Sequence, residues 1–236
     1  MKTAGIIGGL GPETTAQFYQ EIIFNSFQRY KESRPPLLIW SIPLKYQVEE
    51  DLITKAKGEK RYIPYLQDAA KRLENGGADF IVIPCNSVHI FINEVRNAVN
   101  IPVLSIVEET SNFLKQKKIN SIGLLATKST VEKNLYQSTL AKNNIAITLP
   151  DNSDQEKIGK LINNLVINRY DDKNRTELLE IIERLANKGV KNVILACTDL
   201  QLLTPKHDHV NIYDSMAILA NATVREILIG KTPALG

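Results

Sequence analysis

Two cysteines carry the chemistry this sequence offers, and they stand in matching surroundings. Gly77-Ala78-Asp79-Phe80-Ile81-Val82-Ile83-Pro84-Cys85-Asn86-Ser87 aligns without gaps on Gly189-Val190-Lys191-Asn192-Val193-Ile194-Leu195-Ala196-Cys197-Thr198-Asp199. Cys85 and Cys197 fall on each other, 112 positions apart (197 − 85), and a hydrogen-bonding pair follows each, Asn86-Ser87 and Thr198-Asp199. A thiolate accepts a proton and a thiol donates one. Two such groups on opposite sides of one carbon can remove a proton from one face and deliver another to the other face, inverting the centre. If each hydrogen-bonding pair opens a helix, the free N–H groups there attract a carboxylate and lower the thiol pKa below its free value of about 8.5. A two-base inversion of this kind requires no metal, no pyridoxal phosphate and no redox cofactor. The plainer reading also stands: free cysteine is among the most buried residue types, duplication can hand down a packing role, and Asn86, Ser87, Thr198 and Asp199 are ordinary helix-capping types.

The elements that must position these groups alternate between strand and helix. Ala4 to Gly8 reads as a buried strand, Gly9-Leu10-Gly11 as a turn facing a ligand, and Pro12 as the first residue of a helix whose apolar stripe is Ala16, Tyr19, Ile23 and Phe27. Leu37 to Ile42 is a second strand, and Ile63, Leu66, Ala70 and Leu73 mark a helix closed by Gly76-Gly77. Asp79 to Ile83 is an uninterrupted apolar run after its first residue, as in a parallel strand covered on both faces. The scheme then repeats. Ser121 to Ala126 is a strand, Ser129-Thr130-Val131-Glu132 a capping box, Asp154 to Asn168 and Asn174 to Lys188 are helices, Asn192 to Ala196 is a buried strand and Ser215 to Leu228 a final helix. Gly5 to Gly9 matches Gly123 to Thr127 at an offset of 118 (123 − 5), and Ile101-Pro102-Val103-Leu104 matches Val210-Asn211-Ile212-Tyr213 at 109 (210 − 101) as closing strands. The expected fold is α/β, with two similar parallel-sheet lobes related by a pseudo-twofold and a site in the cleft between them, beyond the carboxyl ends of the strands. The first lobe is residues 1–106 plus 213–236 and the second 107–212.

Composition bounds the partners. The 236 residues carry 29 Lys and Arg against 26 Asp and Glu, a net charge of +3 that argues for neither nucleic acid nor a membrane surface. Charged residues interrupt every apolar stretch short of a membrane span, and Met1 to Gly9 lacks the hydrophobic core of a signal peptide, so the cytoplasm is the expected compartment. There the two cysteines stay reduced, a single disulfide being the minor alternative. Gly9-Leu10-Gly11-Pro12-Glu13-Thr14 lacks the third glycine of a dinucleotide loop. His89, one turn after Cys85, has no partners for a metal site, because His207 and His209 flank Asp208 in a surface turn; it reads as a packing residue or one that acts on Cys85 from behind. Lys115-Gln116-Lys117-Lys118 complements a helix C-terminus.

Taken together, Gly5-Ile6-Ile7-Gly8-Gly9-Leu10-Gly11-Pro12, Pro84-Cys85-Asn86-Ser87-Val88-His89, Leu124-Leu125-Ala126-Thr127 and Ala196-Cys197-Thr198-Asp199 resemble the aspartate/glutamate racemase family over nearly the whole chain. The resemblance implies cofactor-independent catalysis by Cys85 and Cys197, an amino-acid substrate, most readily aspartate or glutamate, and a homodimer. Carried over position by position, it implies that Asn86, Ser87, Thr127 and Thr198 hold the substrate's α-carboxylate and α-amino groups, with Asp199 beside the second thiol and Leu10 and Gly11 in the ligand-facing turn. In aspartate racemases a basic residue after the second strand and a Tyr/Lys pair on a second-lobe helix clamp the side-chain carboxylate. Here Lys45 stands near the first position, and Asn163 and Ile167 align with the pair. Two other readings fit the same residues: a dicarboxylate isomerase or decarboxylase of the same fold, and a non-catalytic amino-acid-binding protein.

Overall fold

The structure is a computed structural model and describes residues 1–45, 47–48 and 58–230. Two all-parallel sheets organise them. The first holds β1 (Ala4–Gly8), β2 (Leu37–Ser41) and β3 (Phe80–Val82) in the order β2-β1-β3. The second holds β4 (Ser121–Ala126), β5 (Ala146–Thr148), β6 (Asn192–Ala196) and β7 (Asn211–Asp214) in the order β5-β4-β6-β7. The helices are α1 (Pro12–Arg29), α2 (Ile63–Asn75), α3 (Ile92–Arg96), α4 (Ile106–Gln116), α5 (Lys128–Glu132), α6 (Gln137–Lys142), α7 (Asn152–Val166), α8 (Asp172–Asn187) and α9 (Ser215–Ile227).

The duplication in sequence reappears as hydrogen-bond register. Gly5 pairs with Ile81 in the first sheet, and its counterpart Gly123 pairs with Val193, the counterpart of Ile81, in the second. Both glycines sit where their strand is crowded by the helix and turn that lead into the neighbouring strand, β3 or β6. A Cβ on Gly5 would lie 2.9 Å from the Ala78 Cβ and 3.1 Å from the Leu73 Cβ, and one on Gly123 would meet Val190 and Leu185, the repeat equivalents, at 3.1 Å. The closing strands differ. Val103 touches the first sheet only through a bridge to Ile81, whereas its counterpart Ile212 pairs with Val193 within the full strand β7. Pro102 lacks an N–H to donate and β3 is only three residues long, so the bonds of Ile81 N–H to Pro102 O and Leu104 N–H to Ile81 O are what remains of the ladder.

Side chains alternate across each strand, and both faces are covered. Ile6, Leu124 and Ile194 face a central core filled by Phe18 and Ile22 of α1, Leu114 of α4 and Leu219 of α9, while Ile7 faces an outer core against α2, and Leu125 and Val193 another against α7 and α8. The two sheets therefore share one apolar layer.

Three local expectations shift. The α1 stripe faces the wrong way: Thr14, Thr15, Phe18, Ile22 and Ser26 are buried, while Tyr19, Phe24 and Phe27 stay 42%, 64% and 55% exposed. The cause lies at the helix start, where the Thr15 hydroxyl accepts from Gly9 N–H at 3.1 Å and donates to Gly11 O at 2.8 Å, so its polar group enters the interior already satisfied. The cap of α5 is Thr127, whose hydroxyl accepts from Thr130 N–H, not Ser129. Helices α7 and α8 start two residues early, because Asp151 and Asp171 cap them, the latter in a reciprocal box with Asn174. No helix among the described residues is long and apolar enough to cross a membrane.

Candidate active site

Each cysteine sits where a parallel strand runs out. Cys85 follows β3 by three residues and Cys197 follows β6 directly, at the strand ends that face the cleft. Neither forms a disulfide. They line one cavity of about 50 Å³, to which Leu10, Gly11, Asn86, Ser87, Thr127, Thr198 and Asp199 also contribute. Nine of the ten sequence-predicted site residues thus meet in one place; Lys45 is exposed and does not line it.

Polar groups in the cavity are tightly interlinked. Ser87 Oγ lies 3.1 Å from Thr127 Oγ1, which lies 2.9 Å from Thr130 Oγ1, so three hydroxyls from the two halves of the chain form a cluster. The Asn86 side chain is almost fully committed: its Oδ1 accepts from the buried Tyr136 hydroxyl, and its Nδ2 donates to Ser215 Oγ at 3.0 Å, which itself donates to Leu195 O. That chain ties the residue after the first thiol to the strand that precedes the second.

Behind Cys85 sits His89, buried among apolar neighbours. Ile106 N–H donates to its Nε2 at 3.1 Å, which places the proton on Nδ1, and Nδ1 donates to Cys85 O at 2.8 Å. Burial pushes its pKa down to about 4, so the ring is a neutral brace for the Cys85 backbone. No cluster of metal-ligand side chains exists among the described residues.

Cys197, the thiol that follows β6, behaves differently from the sequence expectation. Short 3₁₀ turns, Ser87–Phe91 and Thr198–Leu203, follow the cysteines instead of long helices, so no extended dipole points at either sulfur. Burial raises the Cys197 pKa, and the Asp199 carboxylate and then Cys85 raise it further. Cys197 Sγ donates to Asp199 Oδ2 at 3.5 Å. Asp199 is itself pushed up to about 6, chiefly by burial, with the Glu13 charge adding to it. At rest Cys197 is a protonated thiol leaning on a carboxylate.

Several lining residues were missed by sequence reasoning. Val88 and Ser129 were within reach, one and two residues beyond predicted neighbours. Tyr62, Ile162 and Val166 were not, because apolar residues at helical spacing read as core. Helical phase decides the last two: α7 turns Ile162 and Val166 to the cavity, while Asn163 lies to the side and Ile167, at the helix end, is exposed.

Residues 7–223 match the Asp/Glu/hydantoin racemase family. The chain belongs to that family. The match takes in both cysteines and both copies of the repeat. Along 95% of its length this racemase-family chain is 29% identical to the broad-specificity amino-acid racemase RacX of Bacillus subtilis (strain 168), of which it covers 97%. A solved aspartate racemase homologue from Pyrococcus horikoshii OT3 superposes with a TM-score of 0.79 at 28% identity, over 96% of this chain and 99% of that one. The aspartate racemase of Picrophilus torridus, 24% identical, shares the fold at a TM-score of 0.79, over 96% and 94%. Racemases are isomerases, and the two parallel sheets of this chain are those of the family.

Proposed function

We propose that this member of the racemase family inverts the α-carbon of an amino acid by moving protons between Cys85 and Cys197. One observation carries the reading: two thiols at equivalent repeat positions, beyond the ends of strands in different sheets, line the same small cavity. In one direction the Cys85 thiolate takes the α-proton; the Cα–H bond breaks, an S–H bond forms, and the electron pair spreads into the substrate carboxylate. The Cys197 thiol then gives its proton to the opposite face, leaving a thiolate there. The opposite enantiomer runs the same steps with the roles exchanged, and protein groups alone balance the cycle. The resting protonation of Cys197, held by burial and Asp199, makes it the acid of the first direction.

The hydroxyl cluster of Ser87 and Thr127, with Thr198, supplies donors for the α-carboxylate, and Asp199 supplies an anion for the α-ammonium. Leu10 and Gly11 close the wall beside them. We read the lobes as 1–106 plus 213–236 and 107–212, and the working form as a homodimer, supported by the uncovered Tyr19, Phe24 and Phe27 of α1. Aspartate and glutamate, which the family name carries, are the reference substrates.

The test is α-hydrogen exchange in deuterated water, followed by optical rotation. The native protein is expected to exchange the α-hydrogen and racemise, and Cys85→Ala and Cys197→Ala to lose at least about a hundredfold in racemisation. Full activity in both variants overturns the two-thiol reading.

A further inference from the structure

The cavity has two kinds of lining. Hydroxyls, an amide and the two sulfurs gather at the strand ends, whereas Ile162 and Val166, one helical turn apart on α7, join Tyr62 and Val88 to supply apolar surface. Among the described lining residues the charged one is Asp199, an acid. The nearby Glu13 adds negative field, enough to help raise the Asp199 pKa. An α-amino acid brings one carboxylate and one ammonium, and the hydroxyls and Asp199 can meet both. A second carboxylate would enter a largely buried space beside a like charge and lose water without gaining a cation from the described lining. An apolar side chain loses only water it is better without.

We infer that the amino acid turned over here has an uncharged, apolar side chain that packs on Ile162, Val166 and Tyr62, in preference to a side-chain carboxylate. The inference rests on the racemase reading above. The four apolar residues come from three separate stretches of chain, Tyr62 before α2, Val88 beyond Cys85, and α7, so the wall is built by tertiary packing and not by one accidental helix face. Val166 is the adjustable part, being only partly buried at the last turn of α7, whereas Ile162 is buried.

The experiment measures kcat/KM for α-hydrogen exchange with both enantiomers of alanine, 2-aminobutyrate, norvaline, methionine, aspartate and glutamate. Along the straight-chain series the value is expected to rise about fourfold per methylene, the factor that follows from burying each CH₂ on an apolar wall. Methionine is expected to exceed aspartate and glutamate at least tenfold. Val166→Lys, whose stem can lie along the helix while the ammonium reaches the cavity, is expected to reverse part of that ratio by admitting the acidic side chains. Aspartate or glutamate matching or exceeding the apolar substrates in the native protein overturns this inference and leaves the two-thiol mechanism standing. Failure of every amino acid to exchange its α-hydrogen overturns the racemase reading, and this inference with it.

Discussion

The pair Cys197 and Asp199 sets the protonation state at the site. The carboxylate is second only to burial in holding the thiol protonated, so Asp199→Asn is expected to lower the Cys197 pKa. In a Cys85→Ala background, where Cys197 is the remaining thiol, the pH profile of alkylation by iodoacetamide then moves to lower pH, while racemisation by Asp199→Asn with Cys85 intact falls. A profile that stays in place shows that burial alone holds the proton. His89 makes a second residue-level claim. Its pKa of about 4 lies below the ordinary 6.5, so at pH 7 both folded and unfolded forms are neutral, and as pH falls from 6.5 to 4 only the unfolded chain gains the proton. Stability is thus present above 6.5 and lost on the way to 4, by about 3 kcal/mol for a fully buried ring. Urea denaturation at pH 7 and pH 4 is expected to show His89→Gln losing less between the two than the native protein, the difference being of that order. The cysteines, the residues after them and the Leu10-Gly11 turn were legible because duplication and family motifs mark them. The direction of the Cys197 shift was not, because burial and the Asp199 contact exist only in the fold.

At the scale of elements, the repeat predicts matched steric limits. Gly5→Ala places a methyl 2.9 Å from the Ala78 Cβ, inside a strand that cannot move without disturbing its pairs on both sides. A loss of about 1–3 kcal/mol is expected, read from the urea midpoint, and a smaller one for Gly123→Ala, where side-chain atoms at 3.1 Å can yield. Helix α7 depends on a different contact. Arg184 of α8 clamps Asp154 through two bonds of 2.7 and 2.8 Å, holding the helix that presents Ile162 and Val166. Asp154→Ala is expected to cost about 1–3 kcal/mol, less than a fully buried pair because Arg184 is partly in water. Strand and helix periods located most described elements but passed over β5, α3 and α6, each only three to six residues long, and of α4 marked only the basic C-terminal end. They failed for the face of α1 because two threonines with satisfied hydroxyls behave as core, which a count of apolar residues does not register.

Across the whole molecule, buried polar bonds and a shared apolar layer join the two sheets. Tyr136 donates to Asn86 across the halves of the chain, and Tyr136→Phe leaves the Asn86 carbonyl unpaired in the interior. That variant is expected to lose about 1–3 kcal/mol in urea unfolding, together with activity, because Asn86 neighbours the first thiol. Sedimentation velocity is expected to find a dimer of the native protein, weakened by Phe24→Glu on the open face of α1; a native monomer at working concentration overturns the homodimer. By itself the sequence determined the alternation of elements, the duplication, the family and the two thiols, because these follow from residue type and period. Tertiary structure alone decided that Ile162, Val166 and Tyr62 share the cavity with the thiols while Lys45 does not, and that Asp199 leans on Cys197. Those facts depend on helical phase and on which chain segments come to lie beside one another, and neither is written in local spacing.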